Sequence, residues 1–242
     1  MLRRLTGIAV VANMVGQLLI VVTGGAVRLT GSGLGCSTWP ECEPGSFTPV
    51  LHAATELHVY VEFGNRMLGV ALGLIGIALA VLATLSTARL GRPRTVRNLA
   101  LVLLGGVLLQ GLIGGISVRT ELHPAIVGSH FLISGVLVSV STVLTVRWFS
   151  GDGPRVLVGH RAVRLVTGLL ALLAAVVVVL GVVVTGAGPH SGDAEVGYRF
   201  AVDPYEVARL HAASVWVFLA ALLALVVLVV RARPALPQVR SW

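Results

Sequence analysis

VTGGAVRLTGSGLGCSTWPEC, Val22 to Cys42, starts inside a long apolar run and ends on two cysteines six positions apart. Hydrophobic residues make up 56% of the 242-residue chain, charged residues only 12%, and the mean hydropathy is +0.93. That balance points to lipid rather than water as the solvent. Working outward from the quoted stretch, six runs reach the roughly 20 residues that cross a bilayer core as a helix. They are Leu5–Val27, Val59–Leu85, Leu99–Ile116, Ala125–Trp148, Val163–Val184 and Val207–Val230. Apolar and polar residues do not alternate, which excludes a membrane β-barrel. The expected fold is an all-α integral membrane bundle.

The 18 basic residues are all arginine. They cluster at Arg3 and Arg4, at Arg89, Arg92, Arg94 and Arg97, at Arg147, Arg155, Arg161 and Arg164, and at Arg231, Arg233 and Arg240. In a six-pass arrangement these clusters fall on one side, which the positive-inside rule makes the cytoplasm. Both termini are then cytoplasmic, and the Cys36 and Cys42 loop of this plasma-membrane protein is extracytoplasmic. The net charge of +8 reports topology, and no nucleic-acid partner is expected. The first apolar run is too long for a cleaved leader and is read as a retained helix. An oxidising outer compartment suits a Cys36–Cys42 disulfide, with two unpaired thiols as the alternative; two cysteines supply only half a tetrahedral metal shell.

Thr30-Gly31-Ser32-Gly33 can be laid over Thr185-Gly186-Ala187-Gly188, and His58 follows the first string by nearly the spacing at which His211 follows the second. The expectation is a pseudo-twofold repeat of four helices plus an incomplete second half: residues 1–150, then 151–242. His52, His58, His123, His130, His190 and His211 map to the outer side, and only His160 to the inner one. Ionisable groups inside a membrane are expensive and are functional candidates by default. His58, Glu62, Asn65 and Arg66 form one stripe on helix two, where Glu62 and Arg66 at i, i+4 read as an ion pair, as a functional pair, or as both. Imidazoles facing each other across a bundle hold haem iron, and zinc or copper would accept the same ligands. Arg28, Arg66, Arg119, Arg199 and Arg209 lie off the cytoplasmic side, where a guanidinium either holds a haem propionate or anchors at the interface.

The strings TGGAVRLTGSGLGCSTWPEC, VEFGNRMLG, LLQGLIGGISV, HPAIVGSHFL, VVVTGAGPHSGD and RLHAASVWVF together resemble the haem A synthase family of cytochrome oxidase assembly. The resemblance runs from Val11 to Val230. It implies an enzyme that oxidises the methyl group at ring position eight of haem O to the formyl group of haem A. It implies a substrate haem in the N-terminal half and a haem b in the C-terminal half. Carried over residue by residue, Glu62 is the catalytic carboxylate, His130 a substrate-half haem histidine and His211 a haem b ligand, with Cys36 and Cys42 the outer-loop pair. Arg66 is placed as a haem-binding residue. The haem O-forming farnesyltransferase is the implied partner, beside an unspecified electron donor and a second copy of the chain. The chain departs from the family in two respects. Asn65 stands where the family has a histidine, so His58 is the substitute ligand. The chain also has six helices where the family has eight, so His211 lacks its partner through truncation, another subunit or an altered site, and His190 is a poorly placed stand-in. A b-type electron-transfer subunit and a six-helix transporter are the rival readings.

Overall fold

The computed structural model describes residues 1–50, 57–150, 160–189, 192 and 198–232. Their helices are α1 (Leu2–Leu29), α2 (Leu57–Leu90), α3 (Arg94–Arg119), α4 (Pro124–Phe149), α5 (Arg161–Ala187) and α6 (Pro204–Ala232). All six are long and apolar enough to cross a membrane. Even the shortest, 26 residues, exceeds the roughly 30 Å hydrocarbon core at a rise of about 1.5 Å per residue. The protein is an all-α, multi-pass membrane protein. Leu74, Leu112, Val136 and Trp216 point outward and are more than half exposed, as suits helices surrounded by lipid.

The ends of the helices follow from local chemistry. Thr30 caps α1, Gly31 takes φ +67°, and the N–H groups of Ser32 and Gly31 donate to the carbonyls of Val27 and Arg28. This is a Schellman termination. The end of α3 repeats it with Glu121 at φ +50°, Leu122 donating to Ser117 and Glu121 to Val118. Pro124 and Pro204 open α4 and α6, where a missing N–H costs nothing. Asp203 Oδ1 accepts from the N–H groups of Tyr205 and Glu206, an N-cap for α6.

The chain divides into two compact units: Met1–Asp152 with Gly188–Phe200, and Gly153–Ala187 with Ala201–Trp242. In the first, α1 packs on α2, α2 on α3, α3 on α4 and α4 on α1, which leaves α2 diagonal to α4. Cross-links show that neighbours run antiparallel: Thr6 to Ser86 and Thr23 to Asn65 join α1 and α2, while Asn13 to Ser141 joins α1 and α4. One end therefore carries the arginine clusters of the first unit and the other the disulfide loop. The core near the arginine-rich end is closed by Val10, Leu79, Val96, Leu103, Leu144 and Trp148. In the second unit, α5 and α6 pack against each other.

The Thr-Gly strings that suggested a repeat do not share one local structure. Thr30 lies just past the end of α1, whereas Thr185 lies inside α5, its hydroxyl bonded to the carbonyl of Gly181.

Candidate functional site

At the disulfide end, residues 30–50 fold back over the first unit. Cys36 and Cys42 form a disulfide and are fully buried. The loop is seated by two close approaches that only glycine allows. A Cβ on Gly35 would stand 2.5 Å from the carbonyl oxygen of His58, and one on Gly115 of α3 would enter the ring of Trp39. Arg119 lies over the same ring, 5.9 Å from its centroid, and donates to the Trp39 carbonyl. The segment after α5 adds one more contact, Gly33 N–H to the Gly192 carbonyl at 2.9 Å.

Beneath this loop lies Glu62, 5% exposed. Its Oε2 accepts from the Cys36 N–H at 2.7 Å, and its Oε1 accepts from Arg66 Nε at 3.0 Å and from Nη2. Arg66 Nη1 donates to the carbonyls of Thr38 and Glu41, and Nη2 also donates to that of Cys36. The five N–H donors of the guanidinium are therefore all engaged within the protein. Its geometry is that of a clamp joining α2 to the disulfide loop. Arg199 donates to the carbonyls of Tyr198 and Pro189, and Arg209 to Glu206.

His58 is the second residue of α2, and its Nδ1 lies 2.9 Å from Ser32 Oγ, itself fully buried. Asn65 Oδ1 accepts from Thr23 Oγ1 at 2.7 Å. His130 is the seventh residue of α4, diagonal to α2 in the ring of four helices. His211 is the eighth residue of α6, in the second unit. The Nδ1 atoms of His130 and His211 are buried with no hydrogen-bond partner among the described residues. The His130 ring lies beside Gly114, whose Cβ would be 3.7 Å away; His211 lies beside Gly181 in the same fashion. His52 and His190 fall outside the described residues.

Sequence reasoning missed a polar set that continues from this site toward the bundle centre. Gln110 of α3 donates to the His130 carbonyl and to Ser134 Oγ, and Asn13 of α1 donates to Ser141. Gln17 lies one turn from Asn13, and Asn13 Oδ1, Gln17 Nε2 and Gln110 Oε1 have no partner among the described residues. A lone amide in an apolar run, as in LLQG, was the available signal. Among the described residues no three His, Cys, Asp or Glu side chains group as a metal site.

A family model described as "Cytochrome oxidase assembly protein", COX15-CtaA, matches residues 7–198. Among curated proteins, the chain is 30% identical to a "Heme A synthase" of Alkalihalophilus pseudofirmus over 59% of this chain and 46% of the relative. It is 34% identical to a "Heme A synthase" of Lysinibacillus sphaericus over 55% and 41%. It is also 33% identical to a "Protoheme IX farnesyltransferase" of Haloarcula marismortui over 60% and 29%. The chain thus matches less than half the length of each of these relatives. No solved structure matches.

Proposed function

Because the chain belongs to the COX15-CtaA family of cytochrome oxidase assembly proteins, we propose that it acts as a haem A synthase, oxidising the ring methyl of haem O to a formyl group. The single observation that carries this reading is the clamp at Glu62: a buried carboxylate fixed between an arginine and a disulfide loop, one to two turns below His58 and across the bundle from His130. The names of the relatives and the family description support the activity.

The residues present fit a tetrapyrrole. A buried imidazole nitrogen without a partner is costly, and coordination of the ring to iron is one way to offset that cost. His130 with Gly114 beside its ring meets this description in the first unit, and His211 with Gly181 meets it in the second. Ser32 holds Nδ1 of His58, the kind of outer partner that fixes the orientation of a metal-binding ring. In this reading His58 and His130 hold the substrate haem, and His211 contributes to a haem b site. When bound, haem b would supply a redox centre for electron transfer.

The chain's own contribution is electrostatic and positional. Glu62 is held by the Cys36 N–H and by Arg66, and in this reading its carboxyl group stabilises charge that develops at the methyl carbon on oxidation. Arg66 holds that carboxylate and three loop carbonyls in one arrangement, so the loop and the charge are set together. The Cys36–Cys42 loop acts as a lid on the extracytoplasmic side, with both termini cytoplasmic. The farnesyltransferase that makes haem O is the proposed partner, supported by the farnesyltransferase among the relatives. The test is Glu62→Gln in the purified protein: bound pigment is expected to remain while conversion of haem O to haem A stops. Unchanged conversion would overturn the role given to Glu62, and a wild type that binds haem but converts no haem O would be a b-type electron carrier instead.

A further inference from the structure

At the end opposite the disulfide loop, the start of α1 and the end of α4 enclose a groove of about 780 Å³. That is within the roughly 300–1,000 Å³ typical of small-ligand sites. Its floor exists because residue 7 is glycine: a Cβ there would come within 3.1 Å of Trp148 Nε1. Trp148 is held from behind by Arg92, which lies 4.7 Å over its ring and donates to its carbonyl at 2.9 Å. The walls are Ile8, Val11 and Phe149, 45% to 59% exposed, with Ala12 alongside. Such apolar side chains face hydrocarbon.

The mouth has the opposite character. Arg3 and Arg4 line it, both exposed, and neither has an ion pair or side-chain hydrogen bond among the described residues. α1 has no acidic residue in its first turn and no side-chain cap. Every described acidic residue of the first unit sits at the other end, in or beside the loops around Glu41, Glu62 and Glu121. An apolar slot topped by two exposed guanidiniums complements a molecule with a hydrocarbon chain and an anionic head. Basic pockets between membrane helices recognise phospholipid headgroups in this way.

We propose that this groove is a specific site for an anionic phospholipid, with the phosphate held by Arg3 and Arg4 and an acyl chain lying along Ile8, Val11 and Ala12 against Phe149. Gly7 and Trp148 form the bottom of the slot. Such a lipid would tie the start of α1 to the end of α4, the seam that closes the ring of four helices.

The test is native mass spectrometry of the full chain in detergent, titrated in parallel with phosphatidylglycerol and phosphatidylcholine. The wild type is expected to retain one phosphatidylglycerol in preference to phosphatidylcholine. Arg3→Gln with Arg4→Gln is expected to lower that retention about thirtyfold, since each basic residue near the surface contributes on the order of a kcal/mol to anionic-lipid binding. Ala12→Phe, which fills the slot without touching charge, should also displace the lipid. Arg94→Gln, at the same end but outside the groove, should not. Equal retention of both lipids by the wild type would overturn the proposal. So would an equal loss in Arg94→Gln, which would mean diffuse attraction to a basic surface. If Ala12→Phe fails to fold, the arginine pair, which is exposed, still decides the matter. The readout is lipid and not pigment, so it stands or falls apart from the haem reading.

Discussion

Arg66 and Glu62, one helical turn apart on α2, are joined by two hydrogen bonds to the same carboxylate oxygen, while the other guanidinium N–H groups reach carbonyls 25 to 30 residues back in the chain. The pair is therefore the joint between a membrane helix and its covering loop. Lysine has no planar fork and cannot make those five bonds. Arg66→Lys keeps the charge but leaves loop carbonyls without donors, so it should lower the thermal midpoint and activity together, with a stability loss of about 1–3 kcal/mol. Glu62→Gln keeps an acceptor for the Cys36 N–H and should lose activity with a smaller loss of stability. Thermal unfolding followed by circular dichroism, beside product chromatography, checks both; the reverse order of effects would reject the assignment.

The seat of the loop on α2 depends on a missing methyl group. Gly35→Ala would place a carbon 2.5 Å from the His58 carbonyl oxygen, so either the loop or the start of α2 must move. The expected outcome is reduced haem content with the helical signal retained. Gly24→Ala, where nothing lies within 4 Å of the added Cβ, is the control and should behave as wild type.

The disulfide closes a short loop, and removing it should cost on the order of 2 kcal/mol by chain entropy. Cys36→Ser should weaken activity more than it weakens folding, because the lost bond holds in place the backbone N–H and carbonyl that meet Glu62 and Arg66. Comparable losses in turnover and in thermal midpoint would leave the bond a stability role alone.

His58 and Asn65 make opposite predictions. His58→Ala should abolish pigment binding in the first unit, whereas Asn65→Ala removes only the acceptor for Thr23, at about 1 kcal/mol. Pigment lost in Asn65→Ala and kept in His58→Ala would overturn the assignment of the ligand.

Much of this architecture is written locally. Six apolar runs give six helices because a run of that length has no other way to satisfy its backbone in lipid. Local spacing also brought Glu62 and Arg66 together. The limits of local reading appear at the ends. α2 continues past the expected Leu85 to Leu90 because Ser86 bonds Thr6 across the bundle and Thr87 bonds the Ala83 carbonyl, so polar residues that look like an exit are satisfied within the helix. Thr30 and Thr185 share a string of neighbours yet differ in conformation, since one helix is stopped by Gly31 at φ +67° and the other carries on to Ala187. The reach of Arg66 to three loop carbonyls, and the seating of Trp39 on Gly115, are tertiary facts with no period in the sequence.

The central claim is that the first unit holds a tetrapyrrole between α2 and α4. The direct measurement is the absorption spectrum of the purified chain titrated with haem, taken for the wild type and for His130→Ala. The account predicts a saturable Soret band in the wild type that is lost or strongly shifted in the variant. A wild type that stays colourless with haem supplied, or a variant with an identical band, would contradict it.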